Sequence, residues 1–357
     1  MAIPVLEEKA EAKTVAEMDE YFASLQANSM DALWRASLPR PQVSGSRASY
    51  PPFHWQWETI RPAMLRAGEL VKPGPDAERR VLQLIHPDLG AARSASHTLT
   101  ANVQLVLPGE ISPTHRHSIA AIRFIIEGSS TITIVDGEPV EMRPGDLVLT
   151  PAGAWHGHIN EGSEPSIWMD SLDRPVVVAL RQVHQEPYPH LLQSPTLPIG
   201  TGLAKFGRGT LMPIGQRTST RVSPLMRFPW EDTLAALQAL TEISADPYDD
   251  VAMDYVNPMT GSHVLPTIGC RMQMLRPGVH TKRHRHSYGS VHHVFRGSGI
   301  TIVEGREIHW KQGDFFTIPP WSWHEHLNNA EYPAFVFSAN DLPIMEALNL
   351  FAEEEAS

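Results

Sequence analysis

Leu105–Gly128 reads LVLPGEISPTHRHSIAAIRFIIEG, and Met274–Gly297 reads MLRPGVHTKRHRHSYGSVHHVFRG. The two stretches carry the same Pro-Gly turn, the same His-x-His pair and the same closing glycine. Further on, PGDLVLTPAGAWHGHIN (from Pro144) matches QGDFFTIPPWSWHEHLN (from Gln312), and LDRP at Leu172–Pro175 matches NDLP at Asn340–Pro343. Each position in the second copy lies 168 or 169 residues beyond its counterpart, which identifies a duplication with one single-residue indel. Within each copy short β-branched runs such as VQLVLPGE, ITIVDGEPVEMRPGDLVLTP and GITIVEGREIHWKQGDFFTIP alternate with Gly- and Pro-containing turns. That pattern belongs to all-β sandwiches and barrels.

Around this repeat the chain is ordinary in composition. Its 357 residues suit about two domains; 42% are hydrophobic and 19% charged, as in a folded protein with a sizeable core. A formal charge of −11 speaks against nucleic-acid partners, and no apolar run approaches the length of a membrane span. With Cys270 as the sole cysteine no internal disulfide forms, and the acidic N-terminus resembles no signal peptide, so a reducing, cytoplasmic setting is expected. Cys270 reads as a small buried filler. Helical signal is confined to Lys13–Trp34, Trp230–Ser244 and the tail Pro343–Glu354. The expected organisation is an N-terminal helical arm (1–95) without barrel-like repetition, a first β domain (96–180), a mixed linker with a helix (181–255), a second β domain (256–345) and a tail (346–357).

Alternate residues on a strand face one way, so His115 and His117 can share one ion, and His156, about 40 residues on, supplies a third imidazole. Three protein ligands leave open positions for a substrate and a second reactant. His284, His286 and His324 repeat the donor set; whether they hold a metal stays open at this stage.

The spacing resembles the cupin motifs: Gly109, His115, His117 and Gly128, then Gly145, Pro151, Gly153, His156 and Asn160, repeated as Gly278, His284, His286, Gly297, Gly313, Pro319, His324 and Asn328. Trp321 replaces one glycine. The glutamate ligand common in cupins is replaced by Ala121 and Ser290. A neutral three-imidazole site remains, which draws charge neutralisation from an anionic chelating substrate and points to Fe(II). The fold implied is a bicupin of two jelly-roll barrels.

With AERRVLQL, SPLMRFPWEDTLAAL and DYVNPMTGSHVLPTIGCRMQMLRPG added, the chain resembles the gentisate 1,2-dioxygenase family, which includes salicylate and 1-hydroxy-2-naphthoate dioxygenases, over nearly everything after about Ala77. The resemblance implies Fe(II) in the first barrel, a homotetramer, and a hydroxylated aromatic acid and O2 as reactants. Both oxygen atoms would enter between the carboxyl-bearing and the hydroxyl-bearing ring carbons. It implies Arg123 and Arg79 (with Arg80 as its fallback) for the substrate's polar groups, Gln104 for the substrate or dioxygen, and His158 for the proton, oriented by Asp170. The repeat adds its own evidence: Gln104 and His158 face Gln273 and His326, but Arg123 faces His292 and Asp170 faces Ser338. An arginine and a carboxylate are thus added to the first copy alone. Where relatives usually carry an aromatic and then a glycine, this chain has Thr100 and Asn102, both expected to line the pocket. The alternatives are a non-catalytic bicupin that binds a small ligand or metal, and a three-histidine oxygenase acting on thiols or diketones.

Overall fold

The computed structural model describes residues 15–30, 32, 50–72, 79–209, 211, 213–215 and 221–356. Residues 1–14 and 33–49 of the expected arm, and the opening Ala77–Glu78 of AERRVLQL, lie outside the described residues. The chain divides into two units, Met1–Arg47 and Ala48–Ser357. In the first, the expected helix is present as Val15–Ala27.

The second unit holds two copies of one antiparallel arrangement, a bicupin. In the first copy a six-stranded sheet runs in the order Arg227–Phe228, Leu147–Thr150, Ala121–Glu127, Ser166–Leu172, Thr100–Val106, Arg80–Leu84. Against it lies a five-stranded sheet ordered Gln185–Pro187, Ile111–His117, His156–Asn160, Thr131–Val135, Glu138–Met142. The second copy repeats both sheets, with His54–Trp55, Phe315–Ile318, Ser290–Arg296, Ala334–Asn340, Gly269–Leu275 and Val251–Asp254 in the larger.

The period of two along each strand decides what goes where. On Ala121–Glu127, Ile122 and Phe124 join the large core shared by both copies, while Ile125 joins the small apolar core of the first copy together with Trp168 and Val106. Arg123, in phase with Ile125, therefore faces inward. By the same alternation Thr100, Asn102 and Gln104 face inward while Ala101, Val103 and Leu105 enter the shared core. Phe124 stacks on Phe337 with ring centroids 4.3 Å apart and also meets His293, its own counterpart, at 5.7 Å. The two copies thus pack back to back on aromatic rings, their polar faces turned away from each other.

The arm is more than a preamble. Strand His54–Trp55 pairs with Phe315–Phe316 of the second copy, and the linker strand Arg227–Phe228 pairs with Leu147–Val148 of the first. The helices Trp57–Leu70 and Trp230–Thr241 follow these strands. At their starts Trp57 N–H donates to Asp314 at 2.8 Å and Trp230 N–H to Asp146 at 2.9 Å. Each indole packs on a turn glycine of left-handed φ, Gly313 (+93°) and Gly145 (+90°), where an added Cβ would lie within 2.9 Å of the ring. The duplicated unit therefore begins at a strand paired with the opposite barrel, followed by a helix whose start is held there and whose body packs on its own copy. The expectation of an arm without repetition missed this, because the shared signal is only a Trp and an acidic residue. The tail also differs from expectation: a helix over Leu342–Ala347 is followed by a strand, Glu353–Glu355, paired with His284–His286. Among the described residues no helix is long and apolar enough to cross a membrane.

Candidate metal centre

His115 and His117 lie on strand Ile111–His117, and His156 begins the neighbouring strand, paired directly with His115. Their ligand nitrogens lie within 4.8 Å of one another. The far side of each ring is already committed. Nδ1 of His117 bonds the Ile119 carbonyl at 2.6 Å, Nδ1 of His156 bonds the Ala154 carbonyl at 2.9 Å, and Nδ1 of His115 meets the Pro113 carbonyl at 3.2 Å. A carbonyl accepts, so Nδ1 carries the hydrogen and Nε2 keeps its lone pair for the centre. Nε2 of His156 is buried and unpartnered, the state of a ligand atom facing an ion.

Burial keeps these rings neutral. It holds His115 down at about 3, with the charge of Arg79 adding to the effect, and His117 down at about 4. His156 and His158 lie well below the ordinary histidine value, through burial and then the charge of Arg123. Three neutral imidazoles with no protein carboxylate among them suit a divalent transition metal that still seeks anionic ligands. The residues fit such an ion.

Arg123 is 2% exposed. Its Nε lies 3.1 Å from Oδ1 of Asp170, the residue directly opposite on the next strand, and one terminal nitrogen bonds Thr150. Asp170 also accepts from the Trp168 indole at 3.0 Å. Asp170 was expected to orient His158, but no hydrogen bond joins the two; Asp170 is engaged by Trp168 and Arg123 instead. It sits opposite Arg123 on the larger sheet, whereas His158 belongs to the smaller one. Neither ring nitrogen of His158 has a hydrogen-bond partner among the described residues, and its ring stands 5.2 Å from that of Trp168. Arg79 does reach the centre, donating to the Pro113 carbonyl at 3.3 Å, the carbonyl that Nδ1 of His115 also meets, and setting its charge beside that ring. Arg80 does not: it is buried in a pair with Glu110, with Nε on the Val71 carbonyl, so it is no substitute for Arg79. Thr100 and Asn102 are buried and bond weakly to each other at 3.4 Å. Thr150 and Trp168, which hold Arg123 and Asp170, were not singled out by sequence. Trp168 could have been, since it alternates with Asp170 on one strand.

Among the described residues, buried polar atoms without partners gather here: Nε2 of Gln104, Oδ1 of Asn102 and both nitrogens of His158. Such atoms are costly unless something bonds them. The second-copy counterparts of Gln104 and His158 are satisfied internally, Gln273 on the Asp249 carbonyl at 2.8 Å and His326 on Thr301 at 2.9 Å. At these two positions the first copy leaves bare what the second copy pairs.

A cupin domain model matches residues 102–172 and 271–340. The chain is 40% identical over 313 residues to 5-aminosalicylate 1,2-dioxygenase of Comamonas sp, covering 86% of this chain and 82% of that protein. It is 34% identical to gentisate 1,2 dioxygenase 1 of Aquipseudomonas alcaligenes, covering 94% and 96%. The chain belongs to the gentisate and salicylate 1,2-dioxygenase family. These are ring-cleaving dioxygenases of bicupin fold. The crystal structure of salicylate 1,2-dioxygenase from Pseudoaminobacter salicylatoxidans with gentisate superposes with a TM-score of 0.89 at 32% identity, covering 98% of this chain and 96% of that one. As a member of this family, the chain carries its donor triad in both copies but the buried Arg123–Asp170 pair in one.

Proposed function

We propose that the first barrel holds Fe(II) on His115, His117 and His156 and opens the ring of gentisate or a 5-substituted salicylate such as 5-aminosalicylate. The observation that carries this reading is the buried Arg123 beside unpartnered Gln104 and His158, present in one copy alone. Held by His115, His117 and His156, iron would supply a Lewis-acidic, redox-active centre for the reaction of the hydroxylated acid with dioxygen.

The protein's own part follows from position. Arg123, fixed on one side by Asp170 and Thr150, offers its remaining donors to the substrate carboxylate, a charge-assisted contact in a site from which water is excluded. Arg79 sets a second positive charge at the mouth, beside His115. Nε2 of Gln104 donates to the substrate oxygens, which removes the cost of burying it bare. His158, neutral and unpaired, takes the phenolic proton as the hydroxyl ionises and returns a proton to the opened product. Thr100 and Asn102 bring a hydroxyl and an amide to the pocket wall, polar enough to meet a 5-hydroxyl or 5-amino group. The product is the ring-opened keto-diacid containing both oxygen atoms. The reading includes a cytoplasmic homotetramer, tested by light scattering.

Anaerobic loading with Fe(II), followed by oxygen uptake across a panel of hydroxybenzoates, tests the reading. Uptake with gentisate or 5-aminosalicylate, lost in His115→Ala, is expected. Uptake with none of the hydroxyarene acids, or with thiols or diketones instead, overturns it.

A further inference from the structure

The duplication extends to the strand that lines each mouth. In the first copy Gln185–Pro187 pairs with the His-x-His strand, setting Gln185 opposite His117 and Pro187 opposite His115. In the second, Glu353–Glu355 does the same, setting Glu353 opposite His286 and Glu355 opposite His284. Residues directly opposite in an antiparallel pair share a face. The middle residue is alike in both copies: Glu186 pairs with Arg116 at 2.6 Å, and Glu354 with Arg285 at 2.5 Å. The residues opposite the histidines are not, and Glu353 among them is 49% exposed. A neutral amide and a proline border the first triad, and two carboxylates border the second.

Glu353 comes closest, its Oε1 lying 3.9 Å from Nε2 of His284. Two ligands bonded at about 2.1 Å to one ion lie no more than about 4.2 Å apart, so this distance is compatible with a shared ion. The three imidazole nitrogens lie within 4.8 Å of one another, and the rings are 1–4% exposed. Nδ1 of His286 bonds the Tyr288 carbonyl and Nδ1 of His324 the Ser322 carbonyl, at 2.8 and 2.9 Å, which leaves their Nε2 lone pairs for the centre.

The same barrel holds little free space. Its interior cavity, lined by Asp249, Arg271, His286, Tyr288, His292 and His326, measures about 20 Å³, room for about one water. Tyr288 lies flat on His286, centroids 3.5 Å apart. Arg271, in the place of Asn102, is held by Asp249 at 2.8 Å and Asp254 at 2.7 Å, and His292, in the place of Arg123, bonds Ser290 at 2.8 Å. No side chain here matches Arg123 as a receiver of an acid.

We infer that the second barrel is a closed divalent-metal site in which Glu353 from the C-terminal strand completes His284, His286 and His324. Four protein ligands fill a tetrahedral shell, the arrangement of a structural ion, and binding ties the tail to the barrel. This stands apart from the reading of the first barrel, and the experiment keeps them separate.

The test uses the full chain carrying His115→Ala and His117→Ala, which removes the first centre, titrated with Zn(II) alone after exhaustive chelation. One zinc per chain is expected, lost on adding His284→Ala and weakened about tenfold or more by adding Glu353→Gln. No zinc in the starting variant, or unchanged affinity after Glu353→Gln, overturns the inference. If the starting variant is unfolded by circular dichroism, the count is made on the unaltered chain. Two ions per chain, falling to one with His324→Ala, then support the site, and a single ion overturns it.

Discussion

Replacing Arg123 with methionine removes a cation buried to 2% exposure and leaves Asp170, 6% exposed, without its partner. Breaking a buried pair from one side costs about 3–5 kcal/mol of stability, because the surviving charge is left desolvated. Arg123→Met alone therefore cannot tell a substrate anchor from a structural pair. Arg123→Met combined with Asp170→Asn can. Asparagine carries no charge and still accepts the Trp168 hydrogen, so most of the lost stability should return. The substrate carboxylate, however, still finds no guanidinium. A hydrogen bond to a charged group contributes about 1.5–3 kcal/mol, which predicts a fall of roughly 10- to 150-fold in kcat/KM. Urea unfolding and oxygen uptake on the two variants make the comparison. Activity that returns with stability in the double variant would refute the role given to Arg123.

His158→Gln keeps a polar side chain but no base of comparable strength; kcat in oxygen uptake should fall roughly 10²- to 10⁴-fold with KM changed much less, and a KM effect alone would make His158 a binding residue. Burial holds His293 at about 3, among Phe124 and Phe315. The unfolded chain takes up that proton near 6.5 and the folded chain only near 3, so this stability is complete above pH 6.5 and falls by about 1.4 kcal/mol per unit below it. His293→Phe, which copies Phe124, should thus lose about 2 kcal/mol less between pH 6.5 and 5 by urea unfolding; equal acid sensitivity contradicts the assignment.

What was legible in the chain was whatever repeats within a short span. The His-x-His strands, the turn glycines and the third histidine stand at spacings that a strand's period of two makes meaningful, and the asymmetry of Arg123 against His292 is visible by aligning the copies. Long-range pairing was not legible. His54 meets Phe316 across most of the chain, and nothing local to either residue announces it. Glu353–Glu355 lies in a stretch whose glutamates favour helix, yet pairing with His284–His286 makes it a strand, tertiary context overriding propensity. Asp170 was assigned to His158 on resemblance; only the register shows it opposite Arg123. The mouth strands were passed over for a similar reason: Gln185–Pro187 and Glu353–Glu355 look unrelated until both are seen paired with a histidine strand.

The central claim, that the first barrel is the one that cleaves, is tested most directly by comparing oxygen uptake in His115→Ala and His284→Ala proteins, each loaded anaerobically with Fe(II) and supplied with the preferred hydroxyarene acid. Uptake abolished in His115→Ala and retained per folded chain in His284→Ala is the predicted result. Uptake retained in His115→Ala and abolished in His284→Ala would place the chemistry in the other barrel and contradict the account.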